Sequence, residues 1–283
     1  WEDSITLYKH TLKHTSNNFI IYNNLGKVYN DSGKYKEAIE AYKQSTRIAP
    51  DYAMAHSNLG SAYAGSGKYK EAIRACKKAI NIDPDYAMAH SNLGSAYAGS
   101  GKYKEAIEAH KKAININPDY AVTHSNLGAA YAGSGKYKEA IRACKKAINI
   151  DPDYAKAHYN LGVAYVALGK YKKAIEAYKK AIKINPDYAP AHSNLGASYA
   201  GSGKYKKAIE AFKQVIRIEP DYAEAHSNLG IAYGALGKYK KAIETFKQAI
   251  RIEPDYAEAH LSLGIAYLSS NDRGSAMEQY KIL

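Results

Sequence analysis

A nearly identical stretch of sequence returns along this chain at a fixed interval of 34 residues. A proline marks each return, at Pro50, Pro84, Pro118, Pro152, Pro186, Pro220 and Pro254. A constant period of this size is typical of stacked supersecondary units, none of which can bury its apolar face alone. Although 283 residues would ordinarily suggest about two globular domains, the period predicts one continuous solenoid.

The period divides the chain into seven full repeats and two partial ones. The full repeats are 19–52, 53–86, 87–120, 121–154, 155–188, 189–222 and 223–256, and a truncated eighth covers 257–283. Residues 1–18 are predicted to be an N-terminal capping helix, the second helix of a partial repeat, because Ile5, Tyr8 and Leu12 share one helical face. The chain starts and stops inside a repeat, and whether it is a fragment of a longer protein is left open.

Each repeat is predicted to contain two helices joined by a tight turn. In the repeat 53–86, Gly67 suits the left-handed backbone that ends a first helix. The second helix is expected from about Lys70 to Ile82, and Pro84 prevents it from continuing. Asp85 is expected to cap the next first helix through its side chain.

The residues at fixed positions identify a family. In the repeat 53–86 they are Leu59, Gly60, Tyr63, Ala72, Ala79 and Pro84. This spacing resembles the tetratricopeptide repeat (TPR), although His56 and Cys76 stand where that family has aromatic side chains. The resemblance covers residues 19–283. It implies an all-α, right-handed superhelical solenoid of antiparallel helix pairs, with the first helices on the concave face. Gly60 is expected to let the second helix approach closely at Ala72.

The basic charge is interpreted as a solvated surface. The net charge is +13, and lysines such as Lys68, Lys70 and Lys77 lie away from the apolar stripe of the second helix. Acidic residues are interspersed with them, so we expect no nucleic-acid partner. No apolar run approaches the ~20 residues of a membrane span. The expected location is soluble, either cytoplasmic or in a soluble domain of a larger membrane protein.

No catalytic constellation is recognisable, so the chain is predicted not to be an enzyme and to need no cofactor or metal. Cys76 and Cys144 occupy one slot two repeats apart and are interpreted as core residues. A histidine also recurs in seven repeats, at His56, His90, His124, His158, His192, His226 and His260. One histidine per layer is too sparse for a metal site, so these are predicted to be packing residues.

A row of asparagines is the main candidate for binding. It comprises Asn24, Asn58, Asn92, Asn126, Asn160, Asn194 and Asn228, each directly before Leu-Gly. A free amide can pair with the C=O and N–H of an extended peptide. Layers about 8–10 Å apart and about 3.3 Å per extended residue give one asparagine per roughly three ligand residues. The row is similar to the asparagine-lined superhelix of O-linked N-acetylglucosamine transferases. The alternative is that each asparagine only ties its helix to the previous repeat.

The second residue of the first helix changes character along the chain. It is Ile20, Met54, Met88 and Val122 in the early repeats, then Lys156, Pro190, Glu224 and Glu258. The groove edge is therefore predicted to be apolar early and charged late, with Lys156, Glu224 and Glu258 contacting a ligand whose basic end lies toward the two glutamates. A helix-capping role for those glutamates is the competing account.

The predicted function is a non-enzymatic scaffold for protein–protein interaction that binds an extended peptide or disordered segment in its concave groove. One alternative is a structural solenoid that associates through its ends into homo-oligomers. Another is the soluble TPR tail of a membrane glycosyltransferase-like protein, suggested only by the residues from Trp1 to Gly26.

Overall fold

A computed structural model describes residues 2–15 and 17–282 of the chain. Trp1, Ser16 and Leu283 lie outside the described residues, so the predicted helix at 1–18 and the resemblance at 1–26 are described only in part. The described residues form seventeen α-helices and no strand. They belong to two compact units, Trp1–Pro152 and Asp153–Leu283, which we call the first and second units.

The first unit contains nine of the described helices. They are α1 (Glu2–His14), α2 (Phe19–Asp31), α3 (Tyr35–Ile48), α4 (Ala53–Gly65), α5 (Tyr69–Ile82), α6 (Ala87–Gly99), α7 (Tyr103–Ile116), α8 (Ala121–Gly133) and α9 (Tyr137–Ile150). On α1, Ile5, Tyr8 and Leu12 pack together against the neighbouring core, as the single apolar face predicted.

The second unit contains the other eight described helices. They are α10 (Ala155–Ala167), α11 (Tyr171–Ile184), α12 (Ala189–Gly201), α13 (Tyr205–Ile218), α14 (Ala223–Gly234), α15 (Tyr239–Ile252), α16 (Ala257–Ser269) and α17 (Arg273–Tyr280). Each unit is a helical solenoid of the predicted kind, in which helices from α2 onward form successive pairs.

Within a unit, the first helix of each pair packs against the first helix of the next pair. The second helix packs against its own partner and against the first helix that follows it. We call the first helices A and the second helices B. The exposed side of the A helices of one unit is called its A face, and it is the surface on which the predicted binding residues lie.

The turn between the two helices of a pair depends on a left-handed residue. Gly67 has φ of +76°, as predicted, and glycines hold the same conformation in six further pairs. In the last pair Asn271 takes this place with φ of 67°, because asparagine tolerates the left-handed region better than most residues. The observed second helix Tyr69–Ile82 agrees with the predicted one to within a residue.

The predicted capping by aspartate is wrong. The helix after Asp85 begins at Ala87, and its N-cap is Tyr86, whose side chain makes no capping hydrogen bond. Glu224 likewise accepts a hydrogen bond from the Tyr222 hydroxyl at 2.6 Å rather than forming a capping box. The loop places the aspartate one residue too early for the capping geometry.

In six pairs a histidine fixes the start of the A helix instead. The Nε2–H of His90 donates to the carbonyl oxygen of Pro84 at 2.9 Å, and this bond recurs at 2.8–2.9 Å in five other pairs. A carbonyl only accepts, so the proton must reside on Nε2. The packing role predicted for the histidines is confirmed, and this hydrogen bond adds a second role.

Close contact between the two helices of a pair depends on the glycine that follows the repeated leucine, such as Gly60 after Leu59. A Cβ on Gly60 would overlap Cys76 Sγ and lie 3.1 Å from the carbonyl oxygen of Ala72. The tight contact is therefore chiefly with the side chain at the variable slot, not with Ala72. In other pairs this slot holds Tyr42, His110, Cys144, Tyr178, Phe212 or Phe246. Burial raises the pKa of Cys76 and Cys144 to about 12, which agrees with their prediction as core residues.

Candidate functional site

The asparagine row lies on the A faces and is only partly accessible. Asn160 is buried, and the other six predicted asparagines are half-buried. Each occupies the middle of an A helix, one position before the leucine that packs into the core. The row is therefore reachable from the A face, but less open than the sequence suggested.

The donor half of several amides already has a partner. Asn58 Nδ2 donates to Asn23 Oδ1 at 3.0 Å, and Asn92 Nδ2 donates to Ser57 Oγ at 3.0 Å. Each acceptor lies 35 residues earlier, one repeat back. The helices α4 and α6 have identical sequences, so the different partners arise from the preceding repeat. The expectation of wholly free amides is wrong for these donors.

Two further asparagines also bond to the preceding repeat. Asn194 Nδ2 donates to the Tyr159 hydroxyl at 3.1 Å, and Asn126 Nδ2 approaches Ser95 Oγ at 3.5 Å. Among the described residues no hydrogen bond to Oδ1 of Asn58 or Asn92 is seen. The acceptor half of these amides is therefore left for a ligand N–H, while the donor half fixes the repeats to each other.

The residue three positions after each asparagine sets the width of the A face. In the first unit it is Lys27, Ser61, Ser95 or Ala129, the last three of which are small. In the second unit it is Val163, Ala197 or Ile231, and Ile265 holds the same helix position after Ser262. Ile231 and Ile265 are 42% and 51% exposed, so two large apolar side chains stand on the A face near the end of the second unit.

A tyrosine closes the C-terminal end of the A helices in the first unit. A Cβ on Gly99 would overlap the ring of Tyr69 from the preceding B helix, and the same is true of Gly65 with Tyr35 and of Gly133 with Tyr103. The glycine is needed because the ring lies directly on the helix backbone. This contact fills the space between consecutive pairs.

The corresponding contact is looser in the second unit. A Cβ on Gly201 would lie 3.3 Å from Tyr171, and the two later A helices have Ala235 and Ser269 at this position. A side chain there keeps the preceding tyrosine away from the helix backbone. One residue earlier, a Cβ on Gly234 would meet nothing within 4 Å. Space is therefore left between pairs.

Two clefts occupy equivalent places in the second unit. One of about 480 Å³ lies between α10 and α12 and is lined by residues including Val163, Tyr171 and Gly201. The other, of about 440 Å³, lies between α14 and α16 and includes Ile231, Tyr239 and Ser269. Neither cleft was predicted from the sequence, because both depend on the position that a tyrosine ring takes against the next helix.

The predicted charged residues lie on the rim of the second unit. Lys156, Glu224 and Glu258 are exposed. The hydrogen bond to Glu224 raises the pKa of Tyr222 to about 12. Burial is the main cause of the raised pKa of Tyr256, and the charges of Glu258 and Glu224 add to it. No salt bridge to either glutamate is found within 2–15 and 17–282.

In the first unit the same rim is apolar. Ile20 is 50% and Met54 42% exposed, and the Tyr52 hydroxyl donates to Met54 Sδ at 3.2 Å. The described residues include no group of three or more histidine, cysteine, aspartate or glutamate side chains placed to hold a metal ion. Nor do they include a helix long and apolar enough to cross a bilayer.

Family models identify the repeats. Tetratricopeptide repeat models match residues 7–40, 51–119, 97–142, 155–188 and 177–210, and a TPR repeat model matches 26–67, 131–169, 200–237 and 234–271. Together these matches run without a gap from residue 7 to residue 271. The chain belongs to the tetratricopeptide repeat family. A comparison with curated proteins found no match.

Solved structures show the same fold. The chain resembles the structure of the APC/C hetero-tetramer Cut9–Hcn1 with a TM-score of 0.70 and 18% identity, over 94% of this chain and 52% of that one. It thus spans about half of that chain. A structure of MamA is 34% identical over 59% of this chain and 97% of its own, with a TM-score of 0.53.

A third structure is that of YrrB, described as a TPR protein with an unusual peptide-binding site. It is 26% identical over 66% of this chain and 96% of its own, with a TM-score of 0.52. Membership of the family and these structural likenesses support a protein-interaction scaffold in general terms.

Proposed function

We propose that this chain is a non-enzymatic scaffold that binds an extended peptide or disordered segment of a protein partner on its A faces. The observation that supports this most directly is the divided use of the asparagines. The donors of Asn58, Asn92 and Asn194 stabilise the stack, and the acceptors of Asn58 and Asn92 remain on a partly open face one repeat apart. A row of acceptors can bind main-chain N–H groups whatever the ligand side chains are.

The same arrangement explains how binding and stability are linked. Each asparagine that bonds to the preceding repeat is held in one orientation, so a ligand need not order it on binding. Ordering a side chain at an interface costs about 0.5–1.5 kcal/mol. A pre-positioned row therefore favours binding along several repeats at once.

The test separates loss of binding from loss of stability. Peptides selected from a displayed library of unstructured sequences would be measured by fluorescence anisotropy against the full chain, Asn92→Ala and Ser57→Ala. Both substitutions break the hydrogen bond between Asn92 Nδ2 and Ser57 Oγ, and Asn92→Ala also removes the longer bond of 3.3 Å to the Ser57 carbonyl oxygen. Both are therefore expected to lower the unfolding free energy by about 0.5–1.5 kcal/mol.

Only Asn92→Ala removes the acceptor, so only it is expected to weaken peptide binding, by about 0.5–1.5 kcal/mol. Circular dichroism confirms that each variant is helical. If no peptide is enriched, or if enriched peptides bind both variants equally, the asparagine row is not a binding device.

Self-association is a second candidate function. The last helix pair exposes Leu261, Leu268, Met277 and Ile282, the last two being about 60% accessible. Exposed apolar side chains in one patch are a common feature of protein interfaces. Light scattering across a range of concentrations tests this function, and a constant mass equal to one chain would exclude it.

A further inference from the structure

The two clefts of the second unit repeat the same construction. Val163 corresponds to Ile231, Tyr171 to Tyr239, and Tyr178 to Phe246. In each cleft an aliphatic side chain from an A helix and two aromatic side chains from the following B helix form the walls. Volumes of about 440 and 480 Å³ fall within the range of about 300–1,000 Å³ typical of ligand pockets.

The separation of the clefts defines a spacing in a bound chain. They are two repeats apart, which is about 16–20 Å for packed helix layers. An extended chain covers that distance in about five or six residues. Side chains point to the same side of an extended chain only at even separations, so about six residues is the spacing that fits both clefts.

The charged residues beside the second cleft indicate which ligand side chains would bind there. Glu224 precedes Ile231 by seven residues, and Glu258 precedes Ile265 by seven. Seven residues are about two helical turns, so each pair shares one face and is separated by about 10 Å. Both carboxylates are exposed and without a salt-bridge partner in the described chain. A lysine or arginine side chain near the ligand residue in this cleft would reach them.

We propose that the second unit binds an extended peptide with two bulky apolar side chains about six residues apart, the second of them adjacent to basic residues. This inference rests on the proposed function and gives it a ligand class. The apolar side chains fill the clefts at α10–α12 and α14–α16, and the basic residues pair with Glu224 and Glu258. Asn194 lines the first cleft beside Tyr178.

The test uses the full chain and a short fluorescein-labelled synthetic peptide of serine, glycine and asparagine with two leucines about six positions apart and two lysines beside the second leucine. An isomer of identical composition has its leucines about three positions apart. We expect the first peptide to bind about tenfold more tightly, because only it buries both leucines.

Variants locate the binding. The double substitution Ile231→Ser and Ile265→Ser is expected to lower affinity for the first peptide about tenfold. The matched control, Leu7→Ser with Ile116→Ser, changes exposed apolar residues of α1 and α7, outside the A helices, and should leave the affinity unchanged. Glu224→Gln with Glu258→Gln should weaken binding about threefold at low salt and reduce its salt dependence.

Equal affinity for the two isomers would overturn the proposal, as would equal behaviour of the isoleucine variant and its control. Failure of both peptides to bind would also overturn it. None of these results removes the proposed function, which is decided separately by whether library-selected peptides depend on Asn92.

Discussion

The A faces of the two units present different surfaces on one kind of helix pair. In the first unit small residues such as Ser61 and Ser95 follow the asparagines, and tyrosines lie directly on glycines at the helix ends. In the second unit Val163 and Ile231 replace the small residues, and clefts open beside them. A few exposed positions thus change the surface while the glycine and leucine positions that fix the pair stay the same.

The cores differ as well, at the slot that contacts the glycine of each pair. The second unit fills it with Tyr178, Phe212 and Phe246. The first unit has Tyr42 there but also two cysteines and His110, all buried. The first unit therefore carries at this slot a histidine, a residue type whose charge changes near neutral pH, where the second unit has tyrosine or phenylalanine.

The largest expected difference between the units is the loss of stability at acidic pH. His110 is fully buried, neither ring nitrogen has a hydrogen-bond partner among the described residues, and burial lowers its pKa to about 4 from 6.5. Its neutral form is the one that fits the core, so its contribution to stability is complete above pH 6.5 and is lost as the pH falls from 6.5 to 4. Between pH 7 and pH 4.5 this amounts to about 2 kcal/mol.

The prediction is tested with His110→Phe, which introduces the side chain found in the same slot at Phe212 and Phe246. Hydrogen exchange of α6 and α7 at the two pH values should show the acid sensitivity in the parent chain and not in the variant. The exposed His10 gives the control His10→Gln, which should behave like the parent. Unchanged acid sensitivity in His110→Phe would show that the difference between the units lies elsewhere.

The second prediction compares the tyrosine contacts. Gly99→Ala places a methyl group against the Tyr69 ring and is expected to destabilise by about 1–3 kcal/mol through overpacking. Gly201→Ala occupies the equivalent position in the second unit, where the nearest atom is 3.3 Å away. There the gain in helix propensity of about 0.5–1 kcal/mol should offset the contact.

Chemical denaturation of the two glycine variants, with hydrogen exchange to localise the change, measures both effects. Similar losses at the two positions would mean that the tyrosine contact does not distinguish the units.

The smallest effect is expected at Tyr159, a position where the second unit uses a tyrosine hydroxyl and the first unit a serine hydroxyl to accept the asparagine hydrogen bond. Tyr159 takes the place that Ser57 has in the first unit and accepts from Asn194 at 3.1 Å. Its ring also lies 5.3 Å from that of Tyr188. Tyr159→Phe keeps the ring and removes the hydroxyl, so we expect a loss of about 1 kcal/mol in unfolding free energy. A loss well above that would show that the hydroxyl has further partners.

Much of the fold follows from the sequence because it depends on local rules repeated many times. The proline period gives the length of the unit, and Gly67 marks the turn because few other residues adopt positive φ. The capping prediction failed at Asp85 because a capping side chain must stand at the N-cap position, and that position is occupied by Tyr86, one residue later. A histidine–carbonyl bond such as that between His90 and Pro84 has no recognised sequence signal, although its constant separation of six residues was visible.

The candidate site was less predictable, because its properties depend on neighbouring repeats. The position of Asn92 on the A face follows from helical spacing, but its bond to Ser57 depends on how two A helices meet. The clefts depend on whether Tyr171 or Tyr239 can lie flat on the next helix. The side chain of Ser269 prevents it for Tyr239, whereas Tyr171 stays off the next helix although Gly201 has no side chain.

The matching sequences of α4 and α6 bear on how such an array changes its length. If residues 53–86 were excised, Asn92 would take the place of Asn58 and would donate to Asn23 Oδ1, as Asn58 does now. The shortened chain would need only one rebuilt junction, of a type already present. We therefore expect the gain or loss of a whole repeat to disturb the packing of this protein less than many single substitutions within a repeat.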